Sequence, residues 1–197
     1  MKLVVQLIHK YLTNTKGVCY IETLKAISTR TSIRRFLDKE IPIEIIRNIV
    51  EAGTLAPSGG NRQPWRFIVV TDKKKIKKFD PYYSQKCIKE APAIIVACVN
   101  PHDTWEKYDE DDNCYILDTA AAIQNMLLSI HAQGLGGVWV VSFSKQAVRK
   151  ELDIPLHWDI ISIVPFGYYD GINHATPRKD ISEVAYLNNL KNPIYSK

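Results

Sequence analysis

The chain has 197 residues, of which 46% are hydrophobic and 24% charged, and its 26 basic and 21 acidic residues give a formal net charge of +5. This is the composition of an ordinary globular domain, and no segment approaches the roughly 20 apolar residues that a membrane span requires. The charge permits an anionic ligand but is too small to argue for nucleic acid. The four cysteines include no C-x-x-C pair, which argues against a zinc ribbon or dithiol motif and indicates reduced thiols in a cytoplasmic protein.

The first 28 residues predict a helical arm ahead of a single domain at residues 29–197. The two helical stretches of the arm, Leu3–Leu12 and Tyr20–Ile27, are separated by Asn14 and Gly17, which break helices. No small-residue cleavage site follows the apolar start, so a signal peptide is not expected.

Four short apolar runs predict β-strands at residues 66–70, 93–99, 138–141 and 160–166. The run Ala93–Val99 has no polar residue, so we expect a central strand that is buried on both faces of a sheet. Strands that alternate with helices favour an α+β or α/β fold.

Three helices are predicted beside these strands. One begins near Pro42 and ends before Pro57, and Ser144 caps another that runs to about Leu152. The third, Asp118–Gln133, is rich in Ala, Met and Leu and should end at Gly134 as its C-cap. Its low charge predicts burial nearly all round and suggests a core that is shared across a subunit interface.

Residues Thr29–Phe36 combine three arginines with three hydroxyl side chains directly after a predicted helix. Arginine presents a planar donor fork that fits phosphate, and hydroxyls and backbone N–H groups add shorter contacts. The segment therefore suits a phosphate with a polar tail, although taken alone it fits an exposed loop with capping hydroxyls better.

Residues Leu55–Phe67 form a glycine-rich turn that leads directly into a strand. The glycines allow close approach of the backbone to a ligand, and Asn61 and Gln63 offer donors and acceptors that suit the edge of a planar heterocycle. The alternative is a tight turn that places Trp65 in the core.

Together, the two segments resemble the nitroreductase family. The matching patterns are Arg30-x-Ser32-x-Arg34 and Ala56-Pro57-Ser58-Gly59-x-Asn61-x-Gln63-Pro64-Trp65. The helix at Asp118–Met126, the strand entry at Gly134–Val140 and the closing segments Pro165–Tyr168 and Arg178-Lys179 extend the resemblance, which runs from about Thr29 to Val184.

The resemblance implies an α+β, FMN-dependent nitroreductase-like fold, with a central, mostly antiparallel sheet flanked by helices. It also implies an intertwined homodimer that holds FMN in a cleft at the subunit interface. The implied cofactor contacts are Arg30, Thr31, Ser32, Arg34, Pro57, Ser58, Gly59, Asn61, Trp139, Val141, Ser142, Arg178 and Lys179. Positions 57–61 would come from the partner subunit.

Several of these contacts also have a role that the resemblance implies from the matching position in the family. Arg30 and Ser32, with the Arg178-Lys179 pair, would hold the FMN phosphate and ribityl chain, and Thr31 would add a backbone contact. Arg34 would place a positive charge beside the flavin pyrimidine edge, and a backbone N–H near Val141 would face flavin N5. No catalytic side chain and no metal are implied, because the flavin carries the chemistry.

Two positions depart from the family pattern. Where some members have Glu-Gly on the strand beside the flavin, this chain has Val141-Ser142, so only the backbone contact remains. Where some members have a second lysine near the flavin, this chain has Cys87, and Lys86 lies one residue earlier. Lys86 is therefore a weaker candidate than Arg34.

The connection at residues 100–115 contains Trp105, Tyr108 and Tyr115 around the acidic run Asp109–Asp112. Because long connections are often functional, it is either a lid whose aromatic side chains hold a planar substrate or a solvated surface loop. The consecutive acids lack the alternating spacing of a calcium loop.

The resemblance implies that NADH or NADPH reduces bound FMN and that a small electron-poor acceptor, such as a nitroaromatic or a quinone, then takes the electrons in a ping-pong cycle.

Other functions remain open. Reductive dehalogenation and flavin fragmentation are alternatives on the same scaffold. A non-catalytic flavin or deazaflavin carrier, with the arm as its partner contact, is another. Nucleic-acid binding through the lysine run at residues 73–78 is disfavoured because no aromatic residues are interleaved. No membrane partner is expected.

Overall fold

The computed structural model describes residues 23–79, 86–105, 114–171 and 176–195. The predicted helix Leu3–Leu12 and the acidic run Asp109–Asp112 lie outside these residues. A first helix, α1, spans Thr23–Thr29 and overlaps the predicted stretch Tyr20–Ile27. The later helices are α2 (Ile43–Thr54), α3 (Lys73–Ile76), α4 (Lys86–Glu90), α5 (Cys114–Ala132) and α6 (Lys145–Glu151). Short 3₁₀ turns lie at Gly59–Asn61, Pro101–Asp103 and Ile181–Glu183.

The strands form a four-stranded sheet in the order β1-β2-β4-β3. Their bounds are β1 Trp65–Val70, β2 Ala93–Val99, β3 Gly136–Gly137 and β4 Asp159–Gly167. Each neighbouring pair is antiparallel. The α+β fold with a mostly antiparallel sheet is therefore confirmed.

Strand β2 is the centre of the molecule, as its uninterrupted apolar sequence predicts. No residue in it is more than 2% exposed. Because successive side chains of a strand point to opposite faces, β2 contributes to two separate cores. Ile94, Val96 and Cys98 belong to a core that also contains residues of α3, α4 and α6. Ala93, Ile95 and Ala97 belong to a second core with residues of α2 and α5.

The third predicted strand, Val138–Val141, is wrong in its bounds. The regular ladder covers only Gly136–Gly137 and is followed by a single bridge from Val140 to Ile163. The register continues through this stretch, and the Val138 N–H donates to the Pro165 carbonyl at 3.1 Å. Proline has no N–H to return that bond, so the ladder is interrupted opposite Pro165.

Helix α5 begins four residues before the predicted start and is not buried all round. Ile116 is 42% exposed and Leu117 is 63% exposed on its first turns. The helix ends at Gly134, as predicted. Gly134 has a φ of 76°, and the Leu135 N–H donates a hydrogen bond to the Ile130 carbonyl at 3.0 Å, which is the geometry of a glycine C-cap. The predicted cap of α6 is also confirmed, since Ser144 Oγ accepts from the Ala147 N–H at 3.1 Å.

None of the helices in the described ranges has the length and the hydropathy that crossing a bilayer would require.

Candidate functional site

The segment that follows α1 runs along the open edge of β3. Ser32 forms a parallel bridge with Gly137, and the Ile33 N–H donates to the Gly137 carbonyl at 3.1 Å. A Cβ added at Gly136 would lie 2.4 Å from Cγ1 of Ile33, so the close approach of the two chains requires glycine there. This packing places the arginine and hydroxyl cluster of Thr29–Phe36 beside the segment Gly134–Val140, which is part of the resemblance described above.

Arg30 and Arg178 are near enough for their charges to interact, although they are far apart in the sequence. Burial lowers the pKa of Arg30, and the neighbouring positive charge of Arg178 lowers it further. Neither guanidinium forms an ion pair with a carboxylate of the described residues. Two neighbouring cations that pair with no carboxylate in the described ranges are an arrangement that suits a bound anion. Lys179 follows Arg178 on the surface.

A histidine that sequence reasoning did not assign to the site adjoins this pair. His131, in the last turn of α5, lies with its Nε2 2.8 Å from Thr29 Oγ1. Burial lowers the pKa of His131, and the positive charge of Arg30 adds to the effect. No sequence signal links His131 to the site, because its neighbours come from a segment about 100 positions away in the chain.

Arg34 faces a second feature, a cavity of about 510 Å³. Its lining residues are Arg34, Arg35, Phe36, Lys86, Cys87 and Glu90. Burial raises the pKa of the Cys87 thiol, and the charge of Arg34 partly opposes that rise. The structure thus brings Arg34 together with the second departure from the family pattern, with Lys86 exposed at the cavity and Cys87 buried in its wall.

The glycine-rich turn is held in an unusual backbone conformation. Gly60, Asn61 and Gln63 all have positive φ, at 53°, 55° and 50°. Gln63 stabilises the turn itself, because its N–H donates to Ser58 Oγ at 3.0 Å and its side-chain amide donates to the Asn61 carbonyl at 3.1 Å. The Gly59 N–H donates to Oδ1 of Asp118 on α5 at 3.0 Å. Sequence reasoning does not single out Asp118 as a site residue, although it is the one acidic residue of a helix that otherwise lacks acids.

Trp105, in the connection that follows β2, packs on this turn. A Cβ added at Gly60 would lie 2.3 Å from Cε3 of the Trp105 ring, so the absence of a side chain makes room for the indole. The ring keeps 49% of its surface exposed. Two polar atoms near this contact, Thr104 Oγ1 and Asp118 Oδ2, are buried without a hydrogen-bond partner in the part of the chain that the structure covers.

The residues after β3 direct N–H donors toward the side of Ser32, where the N–H groups of Trp139 and Val141 have no backbone acceptor among the described residues. The N–H groups of Val138 and Val140 donate to β4, so the alternation of an extended strand turns those of Trp139 and Val141 away from β4. That is the side on which Ser32 bridges Gly137. The Trp139 Nε1 atom is buried without a partner among the described residues, while Val141 is 69% exposed and Ser142 is exposed.

The expected contact residues fall into two groups that lie at opposite edges of the sheet. Arg30 to Arg34, Trp139 to Ser142 and Arg178 lie around the β3 edge. Pro57 to Asn61 lead into β1, which is the opposite edge of the sheet. Three strand spacings separate the two edges, which is about 14 Å.

Comparisons with known proteins show which family this chain resembles over most of its length. A model of the nitroreductase family matches residues 27–86 and 80–168. An Archaeoglobus fulgidus protein with the provisional name NADH dehydrogenase/NAD(P)H nitroreductase is 38% identical over 152 residues, which cover 75% of this chain and 85% of the relative.

Solved structures match over a similar extent. A Parabacteroides distasonis protein with the same provisional name has a TM-score of 0.73 at 31% identity, covering 85% of this chain and 98% of that chain. A Desulfovibrio desulfuricans protein, provisionally described as a nitroreductase and crystallised in complex with FMN, has a TM-score of 0.68 at 26% identity, covering 86% of this chain and 98% of that chain.

Proposed function

Because the chain belongs to the nitroreductase family, we propose that it is an FMN-dependent oxidoreductase that takes electrons from NADH or NADPH and passes them to a small electron-poor acceptor, such as a nitroaromatic or a quinone. The observation that carries the proposal is the Arg30–Arg178 pair beside the β3 edge. Within the described ranges these two cations pair with no carboxylate, and the N–H groups of Trp139 and Val141 on that edge have no backbone acceptor. This is the donor set that a phosphate joined to a planar heterocycle requires.

The residues present fit FMN at both ends. The phosphate would lie at Arg30 and Arg178, with Ser32, Lys179 and the Thr31 backbone beside it. The planar ring would lie along Trp139 to Ser142, where the exposed Val141 N–H is directed away from β4. Trp139 Nε1, which is buried without a partner among the described residues, is a further donor on this segment.

Bound FMN would supply the redox chemistry, taking electrons from the nicotinamide and giving them to the acceptor. The protein's own contribution is binding, orientation and charge. Arg34 would hold a positive charge beside the pyrimidine edge and stabilise negative charge on the reduced ring. Because Cys87 lines the same cavity and burial keeps its thiol neutral, Arg34 would act there without a cationic side chain at position 87.

A homodimer would complete the site. The turn Pro57 to Asn61 lies at the opposite sheet edge from Ser32 in one chain, so a second copy would have to supply it. The exposed apolar residues on α5, Ile116 and Leu117, are the kind of surface that a partner subunit buries. Trp105 would then enter the site together with the turn on which it packs, and its half-exposed ring would contact a planar acceptor.

An absorbance spectrum of the purified protein, followed by anaerobic titration with each nicotinamide, tests the proposal. We expect bound FMN whose yellow absorbance is bleached by NADH or NADPH and restored by a nitroaromatic or a quinone. Protein that remains colourless after incubation with FMN would contradict the cofactor assignment. FMN that binds but is not bleached would instead support a flavin carrier.

A further inference from the structure

We propose that His131 is a third member of the anion site, a conditional cation whose ring takes up a proton when a phosphate monoester binds at Arg30 and Arg178. The inference rests on the proposed function, since it concerns how the same site recognises the phosphate of FMN. It assigns to His131 a part in distinguishing a phosphorylated flavin from one without phosphate.

The hydrogen bonds around Thr29 fix the tautomer of His131. Thr29 Oγ1 lies 2.6 Å from the Lys25 carbonyl, to which it donates its single proton. It must therefore accept at its second contact, where His131 Nε2 lies 2.8 Å away. His131 thus carries its proton on Nε2 in the neutral state, and Nδ1 is the nitrogen that can take up another proton.

The charges that face His131 disfavour its protonation in the absence of an anion. Arg30, in the segment that packs against the end of α5, is the charged group that lowers its pKa in addition to burial, and Arg178 of the C-terminal segment lies beside Arg30. Thr29 of α1 is uncharged, and no carboxylate among the described residues contributes to the shift. Three cationic groups in one place would repel each other, so the ring remains neutral while Arg30 and Arg178 are not neutralised.

A bound phosphate monoester reverses this balance. At neutral pH it carries nearly two negative charges, which offset the two guanidinium groups and attract a third positive charge. The pKa of His131 therefore rises on binding, and the complex takes up a proton. Riboflavin has the same ring and ribityl chain but no phosphate, so its binding should leave His131 neutral.

Calorimetric titration of the protein with FMN at pH 7, in two buffers of different ionisation enthalpy, measures the protons taken up on binding. We expect net uptake with FMN in the wild-type protein and none with riboflavin. This comparison requires no variant. Equal proton uptake with FMN and with riboflavin, or none with FMN, would overturn the proposal.

The second measurement compares the pH dependence of FMN affinity in the wild type and in His131→Gln, in which the side-chain amide can still donate to Thr29. The ratio of wild-type to variant association constants should rise about threefold or more between pH 8 and pH 6.5, since one linked proton gives at most tenfold per pH unit. The ratio cancels the ionisation of the phosphate itself, which lies near pH 6. His157→Gln, at a histidine that packs on Trp158, is the matched control and should leave the ratio constant.

The outcomes separate this inference from the proposed function. FMN affinity with the same pH dependence in the wild type and in His131→Gln would sink the role of His131 and leave FMN binding intact. Failure of the wild-type protein to bind either flavin at any pH would contradict the proposed function and the inference with it.

Discussion

At the scale of single residues, the candidate site contains polar and charged groups that have no counterpart in the part of the chain that the structure describes. Arg30 and Arg178 have no carboxylate between them, and Trp139 Nε1 is buried without an acceptor among the described residues. A buried indole N–H without an acceptor costs about 1–3 kcal/mol, so a ligand or a partner that accepts from Trp139 Nε1 would stabilise the fold.

Replacement of Arg178 by glutamine should weaken FMN binding. A charge-assisted hydrogen bond contributes roughly 1.5–3 kcal/mol, so the Kd for FMN should rise about 10- to 100-fold. Fluorescence quenching of FMN on titration with protein measures this change. Arg47→Gln is the control, because Arg47 pairs with Glu44 on the exposed face of α2 and should leave the Kd unchanged. An unchanged Kd for the Arg178 variant would remove this residue from the phosphate site.

His131 should make the flavin-free protein less stable in acid. Its pKa in the folded chain lies below the ordinary value of 6.5, so the unfolded chain binds the proton more tightly. The contribution of His131 to the free energy of unfolding is therefore complete above pH 6.5 and is lost as the pH falls through the folded-state pKa. Urea unfolding at pH 7.5 and pH 5.5 should show a smaller decrease in His131→Gln than in the wild type. An identical decrease in both proteins would contradict a lowered pKa of His131 in the folded chain.

At the scale of elements, the features that could be predicted from sequence are those encoded within a few residues. Ser144 at the start of α6 and Gly134 at the end of α5 are local signals, and both are confirmed. The true extent of β3 could not be predicted, because it depends on Pro165, which lies opposite Val138 on β4. The two residues become neighbours only when the sheet has assembled. The contact of Trp105 with Gly60 could not be predicted either, because it joins two loops that are distant in sequence.

Because Ile33 packs closely on Gly136, substitutions at these two residues should have non-additive effects on the free energy of unfolding. Gly136→Ala should lower the free energy of unfolding by roughly 1–3 kcal/mol through overpacking. In the double variant with Ile33→Ala the added methyl group has room, so the combined loss should be smaller than the sum of the two single losses. Chemical denaturation of all four proteins gives the coupling energy. Additive losses would mean that the two side chains do not compete for the same space.

At the scale of the whole molecule, the division of the expected contacts between the two edges of the sheet is the most informative feature. The sequence motifs alone do not reveal that Ser32 and the turn at Pro57 lie at opposite edges, because strand order is a property of the assembled sheet. Resemblance implied a shared site between two subunits, and the topology supports that arrangement as a proposal. Residues 106–113 of the connection that is predicted to be either a lid or a surface loop lie outside the described ranges.

Leu117→Asp should dissociate the proposed dimer. The side chain is 63% exposed in one chain, and a carboxylate buried there at an apolar interface would be strongly unfavourable. We expect a folded monomer by light scattering that no longer retains FMN. Leu156→Asp, at a residue that is 88% exposed, is the control and should remain dimeric. A Leu117→Asp monomer that retains FMN at wild-type affinity would show that one chain suffices for the site.

The buried thiol of β2 has a further consequence for how the protein can be followed experimentally. Cys98 is 2% exposed, and burial raises its pKa to about 11. Since the thiolate is the form that reacts, an alkylating reagent at pH 8 should modify Cys98 only when the central strand opens. The rate of its alkylation, resolved by peptide mass spectrometry, would therefore measure the opening of the sheet directly, and ligand binding that stabilises the fold should slow this labelling.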